Sequence, residues 1–239
     1  MIVDINCDLG EGVGNEEEIL PYITSANIAC GFHAGDATTM MKTVETAARM
    51  GVKIGAHPGL PDKEGFGRMP MSVSLEEIKS FVVYQIGALE AFAKVAGVRL
   101  NHIKLHGALY NMASIDYEIS KIVTDTIYQI DKEIIFIGLY NSPMIQAAKD
   151  SGLQYLNEVF ADRAYNSDGT LVSRQTKGSV LEDVDTCVSR AMRMLNEGKV
   201  TSIDGIDIDI KPDTICVHGD GEQAVLLAKK LSQAIRAGY

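Results

Sequence analysis

Histidines follow the predicted strands of this sequence, at the positions where parallel α/β proteins hold their reacting groups. Four of the five histidines lie at or just after a predicted strand end: His33, His57, His106 and His218. Asp8 ends the first predicted strand in the same way. Because active sites of parallel α/β folds form at the carboxyl ends of strands, we expect these side chains to meet at one rim. Imidazole transfers protons near neutral pH and also ligates metals, so the pattern predicts a reactive cluster.

Two predicted strands each carry a row of polar side chains on one face. The rows, read at alternate positions, are Asp4, Asn6 and Asp8 in one strand and His102, Lys104 and His106 in the other. If the strands belong to a barrel, both rows point inward. Since buried charges need partners, we expect Lys104 to neutralise Asp4 or Asp8. The alternative is a pair of half-exposed edge strands whose polar faces meet solvent.

Asp8, His57 and His106 are candidates for a divalent metal site, because one carboxylate and two imidazoles suit a catalytic ion. Their spacing does not favour a metal, since the three residues lie far apart in the sequence. Without a metal, the same groups act as proton donors and acceptors. Tyr110 follows the same strand as His106 and is a candidate for lining the pocket.

Glycine-rich turns after several strands are candidates for anion binding. The segments GFHAGD, with His33 and Asp36, and VHGDGE, with His218, each place Gly and Asp between a strand and a helix. Free N–H groups at a helix start favour anions such as phosphate. A long Gly/Pro-rich loop over 58–72 adds Arg68, and loops of that length are uncommon without a function. Ordinary tight turns are the alternative, since the sequence has no nucleotide-binding glycine motif.

The elements that must position these residues alternate between short apolar runs and longer amphipathic ones. The predicted strands are 2–7, 25–30, 53–56, 101–105, 133–138, 153–158 and 214–218, and the predicted helices are 15–22, 37–50, 74–96, 116–131, 142–151, 179–197 and 221–237. This alternation predicts an α/β fold with a parallel sheet. About seven units in 239 residues favour a distorted, TIM-like (β/α) barrel, with a doubly wound open sheet as the alternative.

Two local patterns refine that prediction. Ser74 and Glu77 form a capping box at a helix start, and Gly97 is placed to follow the helix end. Segment 198–213 carries an Asp-Gly pair and alternating isoleucines, which indicate a hairpin insertion. The sequence has no linker or strong repeat, so we expect a single catalytic domain over 1–239.

Composition excludes several classes of protein. A net charge of −10 makes nucleic acid an unfavourable partner, and a hydrophobic content of 46% excludes intrinsic disorder. The four cysteines form no C-x-x-C pair, so we expect free thiols in a reducing cytoplasm. No apolar run has the length of a membrane span, and the first residues lack the pattern of a signal peptide, so we expect no membrane association.

Six ordered motifs resemble the LamB/YcsF family. They are DINCDLGEG (4–12), NIACGFHAGD (27–36), GAHPGLPD with GFGR (55–62 and 65–68), KLHGALYN (104–111), EVFADRAY (158–165) and CVHGDG (216–221). They run from the first predicted strand to the last. The sequence departs from the family pattern at Leu105, where Pro is expected, and at Met69, where a second Arg is expected after GFGR. Met69 therefore weakens the case for a paired-arginine phosphate clamp.

The resemblance implies a distorted (β/α) barrel related to sugar deacetylases and an ATP-dependent opening of 5-oxo-L-proline to L-glutamate, with ATP as co-substrate and separate B and C subunits as partners. In that wider superfamily an aspartate of the first strand and two histidines can hold a metal, and Asn6 with Asp8 is similar to the first part of such a site. Under this interpretation Lys104 and Arg163 bind phosphoryl or carboxylate groups. Asp8, His57 or His106 would then activate water or protonate nitrogen.

Two other functions stay open at this point. One is a metal-dependent deacetylase that acts on a sugar or N-acyl substrate. The other is a non-catalytic module that binds a lactam or an acidic ligand and presents it to partners.

Overall fold

A computed structural model describes residues 3–238, in which seven parallel strands close into a barrel. Its strands, in the order in which they pair around the barrel, are β1 (Asp4–Leu9), β2 (Ser25–Ala29), β3 (Lys53–His57), β4 (His102–Lys104), β5 (Ile135–Leu139), β6 (Gln154–Phe160) and β9 (Thr214–His218). A separate antiparallel pair consists of β7 (Lys199–Thr201) and β8 (Asp207–Asp209).

Eight α-helices accompany the strands of the described chain and supply the crossovers that a parallel sheet needs. They are α1 (Glu16–Ile19), α2 (Ala37–Met50), α3 (Leu75–Val95), α4 (Gly107–Ile115), α5 (Tyr117–Ile130), α6 (Pro143–Ser151), α7 (Val184–Glu197) and α8 (Ala224–Gly238). A short 3₁₀ helix (Leu20–Tyr22) continues α1. The inner faces of these helices and the outward-facing strand residues form the hydrophobic core, which includes Ile5, Ile103 and Ile215.

The last strand closes the sheet. β9 pairs in parallel with β1 on one side and with β6 on the other, and Cys216 lies opposite both Asn6 and Phe160. The prediction of a seven-stranded barrel is therefore confirmed, and the open doubly wound sheet is wrong. Closure matters for function because it brings Asp8 and His218, which lie far apart in the sequence, to the same rim.

Some predicted boundaries differ from the observed ones. The first strand spans Asp4–Leu9 instead of 2–7, and residue 2 lies outside the described residues. Helix α4 is not among the predicted helices; it begins at Gly107, shortly after the fourth strand, and has no side-chain cap to mark its start. The predicted helix at 179–197 begins only at Val184, where the carboxylate of Asp183 accepts from the Thr186 amide and caps the helix.

The local signals for α3 and for the hairpin are confirmed. The Ser74 side chain accepts from the Glu77 amide while Glu77 accepts from the Ser74 amide, which is the reciprocal capping box. Gly97 follows the helix with a positive φ of 75°. Strands β7 and β8 pair across the Asp204-Gly205 turn as expected.

The remaining expectations about the chain as a whole concern thiols and membranes. All four cysteines are free and buried. Among the described residues, no helix has both the length and the apolar character required to cross a bilayer.

Candidate active site

A cavity of about 680 Å³ opens at the carboxyl end of the barrel strands. Of the predicted site residues it is lined by Asp8, His57, Arg68, Lys104, His106, Tyr110, Arg163 and His218. Its volume falls within the range of roughly 300–1,000 Å³ that is usual for ligand pockets. A second depression of about 630 Å³ lies against the amino ends of β1 and β3, but Asp4 and Lys53 are its only charged residues. The chemistry therefore concentrates at the carboxyl end.

The floor of the cavity holds one ammonium group against two carboxylates. Lys104 Nζ lies 2.7 Å from Asp8 Oδ1 and 3.1 Å from Glu158 Oε1. Lys104 is 2% exposed and Glu158 is fully buried. The expected partner of Lys104 is thus Asp8 and not Asp4, with Glu158 as an additional one. The Cys216 thiol also lies 3.0 Å from the amine.

This pairing fixes the charge states at the floor. Burial alone would lower the pKa of Lys104, but Asp8, Cys216 and Glu158 hold it well above its ordinary value. Burial would raise the pKa of Asp8, and the charges of His57 and Lys104 outweigh that effect and lower it. Burial raises the pKa of Cys216, so that its thiol stays protonated and is a poor nucleophile. Lys104 is accordingly a cation and Asp8 an anion at neutral pH.

A layer of amide and imidazole groups supports the floor from inside the barrel. Asn27 Nδ2 donates to Asp8 Oδ1 at 2.7 Å and to Asn6 Oδ1 at 2.8 Å. Asn6 in turn donates to the Thr214 hydroxyl, and His102 Nε2 lies 2.8 Å from Asn27 Oδ1. Asn6, Asn27 and His102 are all fully buried. The inward direction of both polar rows is confirmed, and edge strands are excluded by the closed barrel.

Three histidines and Glu11 form a compact cluster beside the floor. The rings of His33 and His106 stack at 3.6 Å between centroids, and His106 Nδ1 lies 2.9 Å from His57 Nε2. Glu11 Oε1 lies 3.2 Å from His33 Nε2 and 3.4 Å from His106 Nδ1. Asp8 Oδ2 is 3.3 Å from His57 Nε2, which connects the cluster to the floor.

Two of these imidazoles present lone pairs to each other. His57 Nδ1 lies 2.8 Å from the Lys104 carbonyl oxygen, and His106 Nε2 lies 2.8 Å from the Phe66 carbonyl oxygen. A carbonyl oxygen only accepts, so these two nitrogens must carry the protons of the neutral rings. His57 Nε2 and His106 Nδ1 are then both unprotonated and face each other. A shared proton or a cation is required to stabilise them.

The donor set fits a divalent metal ion. One ligand atom from each of Glu11, His33, His57 and His106 lies within 4.8 Å of the others. Burial and neighbouring histidines lower the pKa values of His33 and His106, which keeps both neutral as ligation demands. The backbone acceptors behind His57 and His106 are the kind of outer-shell partner that orients metal-binding imidazoles. The cluster differs from the expected set, because Glu11 and His33 join the two histidines while Asp8 pairs with Lys104.

His218 ends β9, beside Asp8 of the neighbouring strand β1, and is oriented by a carboxylate. Its Nδ1 is 2.8 Å from Asp162 Oδ2, and its ring stacks on Phe160. The pKa of Asp162 is lowered because His218 outweighs the effect of burial. An imidazole whose Nδ1 is held by a carboxylate presents Nε2 as a proton donor or acceptor.

Arginines form the outer part of the cavity wall. Arg68 pairs with Asp220 at 2.5 Å and lies over the Phe66 ring. Arg163 donates to the carbonyl oxygens of Val172 and Ser179. Its guanidinium therefore holds the loop that follows β6 in place. Arg174, on that loop, also lines the cavity.

Three predicted site residues do not line the cavity in the described structure. Asn6 lies beneath Lys104, and His33 lies behind His106 in the stacked pair. Asp36 is exposed and caps α2 through the Thr39 amide. The expectation that Asp36 binds substrate or phosphate is corrected, because its carboxylate satisfies a helix end outside the cavity.

Several functional side chains were missed by sequence reasoning. Glu158 shares strand parity with Phe160, so an acidic residue inside a buried strand was an available signal. Glu11 lies in the turn directly after β1, where a polar residue at a strand end was an available signal. Arg174 gave no signal, because it lies in a long loop without periodicity.

Comparison with known proteins places these features in a family. The sequence profile of the LamB/YcsF family matches residues 3–238. A Bacillus licheniformis protein, named as the A subunit of 5-oxoprolinase, is 52% identical and covers 98% of this chain and 95% of its own length. A protein of the same name from Alkaliphilus metalliredigens is 54% identical, with 98% and 93% covered.

A solved structure shows the same fold. The crystal structure of the lactam utilization protein from Thermus thermophilus superposes with a TM-score of 0.91 at 39% sequence identity. The superposition covers 99% of this chain and 97% of that one.

Proposed function

The chain belongs to the LamB/YcsF family, and from that membership we propose that it is the A subunit of an ATP-dependent 5-oxoprolinase. In this proposal it opens 5-oxo-L-proline to L-glutamate together with B and C subunits, and residues 1–239 act as one catalytic domain. The observation that carries the proposal is the cavity itself, where Asp8, Lys104 and the imidazoles of His57, His106 and His218 face one small volume. A reaction driven by ATP, and four free thiols, support a cytoplasmic location.

The chemistry explains why ATP is needed. A lactam is a resonance-stabilised amide that water attacks poorly. Transfer of the γ-phosphoryl group from ATP to the carbonyl oxygen makes the ring carbon electrophilic and releases ADP. Water then adds to that carbon, the C–N bond breaks, and the nitrogen takes a proton. A second water molecule then hydrolyses the remaining bond to the phosphoryl group. This releases inorganic phosphate and leaves L-glutamate.

The residues of this chain suit the ring-opening half of that sequence. Lys104 presents a buried positive charge to the oxygen or phosphoryl group on the reacting carbon. Asp8 and His57, 3.3 Å apart, are placed to accept a proton from the attacking water. His218, held by Asp162, also lines the cavity and donates the proton to the departing nitrogen. Positioning and charge stabilisation supply most of the acceleration.

Reconstitution tests the proposal. Glutamate release from 5-oxo-L-proline and ATP is measured for this chain alone and for the chain with B and C subunits. We expect negligible turnover alone and turnover in the complex. Strong activity in isolation would contradict the need for partners, and no activity under either condition would contradict the proposed reaction.

Variants of two site residues separate catalysis from simple binding. Asp8→Asn and His106→Ala should each remove most of the glutamate release by the complex, because each removes a charge or a lone pair at the reacting centre. If both variants keep full activity, the roles given to these residues are wrong, and a module that only binds and presents the ligand is favoured.

A second candidate, a metal-dependent deacetylase, is favoured by the Glu11, His33, His57 and His106 cluster. A divalent ion held there would supply a Lewis acid for a carbonyl oxygen. Metal content of the purified protein and acetate release from N-acetylated sugars discriminate the two functions. Stoichiometric zinc with acetate release supports the deacetylase, whereas glutamate release without acetate release supports the 5-oxoprolinase.

A further inference from the structure

The cavity is electrically polarised between its floor and its mouth. At the floor and the adjoining cluster, Asp8, Glu11 and Glu158 face a single lysine, Lys104. Toward the loops that follow β3 and β6, the wall instead carries three arginines: Arg68, Arg163 and Arg174. An anionic ligand would therefore place its negative end toward the arginines, apart from the reacting groups.

Two of the three arginines already have partners within the protein. Arg68 is paired with Asp220, and Arg163 is 4% exposed with its guanidinium on two backbone carbonyl oxygens. The other nearby carboxylate, Asp162, is occupied by His218. Asp220 and Asp162 thus each contact another partner directly, Arg68 and His218 respectively.

Arg174 carries the third guanidinium. It is an exposed residue that lines the cavity, and within residues 3–238 its side chain makes no hydrogen bond and no ion pair. Its partly buried position and then the charge of Arg68 lower its pKa, and the charges of Asp220, Asp162 and Asp8 offset this only in part. Arg174 is therefore a guanidinium at the cavity wall whose donors are free to bind the carboxylate of a ligand.

We propose that Arg174, beside Arg68, binds the carboxylate of 5-oxo-L-proline and thereby selects lactams that carry a carboxylate next to the ring nitrogen. The inference rests on the proposed function. The reacting carbonyl carbon must face Asp8, His57 and Lys104 at the floor. The carboxylate is on the ring carbon at the other side of the nitrogen, so it points away from the floor and toward the arginines. A phosphoryl group on the carbonyl oxygen would instead lie near Lys104.

The test uses the complex with B and C subunits and three versions of this chain. These are the wild type, Arg174→Gln, and Lys177→Gln as a matched loss of charge on the same loop outside the cavity wall. The kinetic constants for 5-oxo-L-proline are measured together with inhibition by 2-pyrrolidinone, the same ring without a carboxylate, and by inorganic phosphate. Because the Arg174 side chain donates to no group within residues 3–238, its replacement removes no hydrogen bond of the fold.

Loss of a charged hydrogen bond to the carboxylate predicts a roughly 10- to 100-fold lower kcat/KM for 5-oxo-L-proline in Arg174→Gln. Inhibition by phosphate should stay within twofold of wild type, and so should any inhibition by 2-pyrrolidinone. Arg174→Lys should restore part of kcat/KM, and Lys177→Gln should match wild type.

Three results would overturn the assignment: an unchanged kcat/KM, an equal weakening for both lactams, or a selective loss of phosphate inhibition, which would assign Arg174 to the phosphoryl group. A wild-type complex that releases no glutamate contradicts the proposed function itself. An active wild-type complex with an unaffected Arg174→Gln variant contradicts the carboxylate site alone.

Discussion

A single lysine determines the electrostatics of the barrel interior. Lys104 offsets the charge of two buried carboxylates, Asp8 and Glu158. Among residues 3–238, no other lysine or arginine lies within 4 Å of either carboxylate. Removal of one partner from a buried ion pair lowers the free energy of unfolding by more than the intact pair contributes to it, because the remaining charge stays desolvated. The residue is therefore as important for folding as for the proposed chemistry.

Lys104→Met is expected to lower the free energy of unfolding by about 3–5 kcal/mol. The methionine fills most of the volume but leaves Asp8 and Glu158 without their cation. Urea denaturation followed by circular dichroism measures the change. The control is Lys53→Met at the other end of the barrel, where Lys53 lies 3.9 Å from Asp4 with its side chain 54% exposed. An exposed pair contributes little, so equal losses in the two variants would contradict the role of the buried charge.

At the level of elements, the loop over 58–72 completes the histidine cluster. Its backbone turns back through positive φ at Phe66 and Gly67, which places the Phe66 carbonyl oxygen on His106 Nε2. A Cβ on Gly67 would lie 2.6 Å from His33 Cβ and 2.8 Å from His106 Cδ2. The loop therefore needs glycine both for its dihedral angle and for its contact with the two rings.

Gly67→Ala is expected to displace the histidines and to lower glutamate release by the complex at least tenfold, since displacements of about 1 Å can cost a factor of 100. Gly97→Ala is the matched control, because Gly97 also has positive φ but a Cβ there meets nothing within 4 Å. It should lose about 1 kcal/mol of stability and keep its activity. Full activity in Gly67→Ala would show that the loop is not part of the site.

The capping box of α3 is a separate, structural element. Ser74→Ala removes the acceptor for the Glu77 amide and should lower the free energy of unfolding by about 1 kcal/mol without a change in kcat. Ser80→Ala, in the exposed middle of the same helix, serves as the comparison, because alanine favours the helix. Chemical denaturation of both variants measures the difference. Loss of stability in Ser80→Ala alone would contradict the capping role.

For the molecule as a whole, the sequence predicted the barrel and the face on which the site lies, because alternating apolar runs and strand-end polar residues are local signals. Parity placed Asn6, Asp8, His102 and Lys104 inside. Distances between strands are not local, so the pairing of Lys104 with Glu158 and the joining of Glu11 to the histidines required the closed structure. Helix α4 was not predicted because it follows β4 without a polar cap. Asp36 was assigned to anion binding because helix capping and anion binding use the same kind of turn.

The closed barrel also makes the stability of the whole molecule depend on pH through its buried imidazoles. Burial lowers the pKa of His102 from 6.5 to about 4. Between these two values the unfolded chain binds a proton that the folded chain excludes, so stability is lost as pH falls below about 6.5, by about 1.4 kcal/mol per pH unit for this group. Urea denaturation from pH 7 to 4.5, with a chelator present, should show this slope. His102→Gln should lower the slope by that amount, and an identical slope in both proteins would show that His102 is protonated inside the barrel.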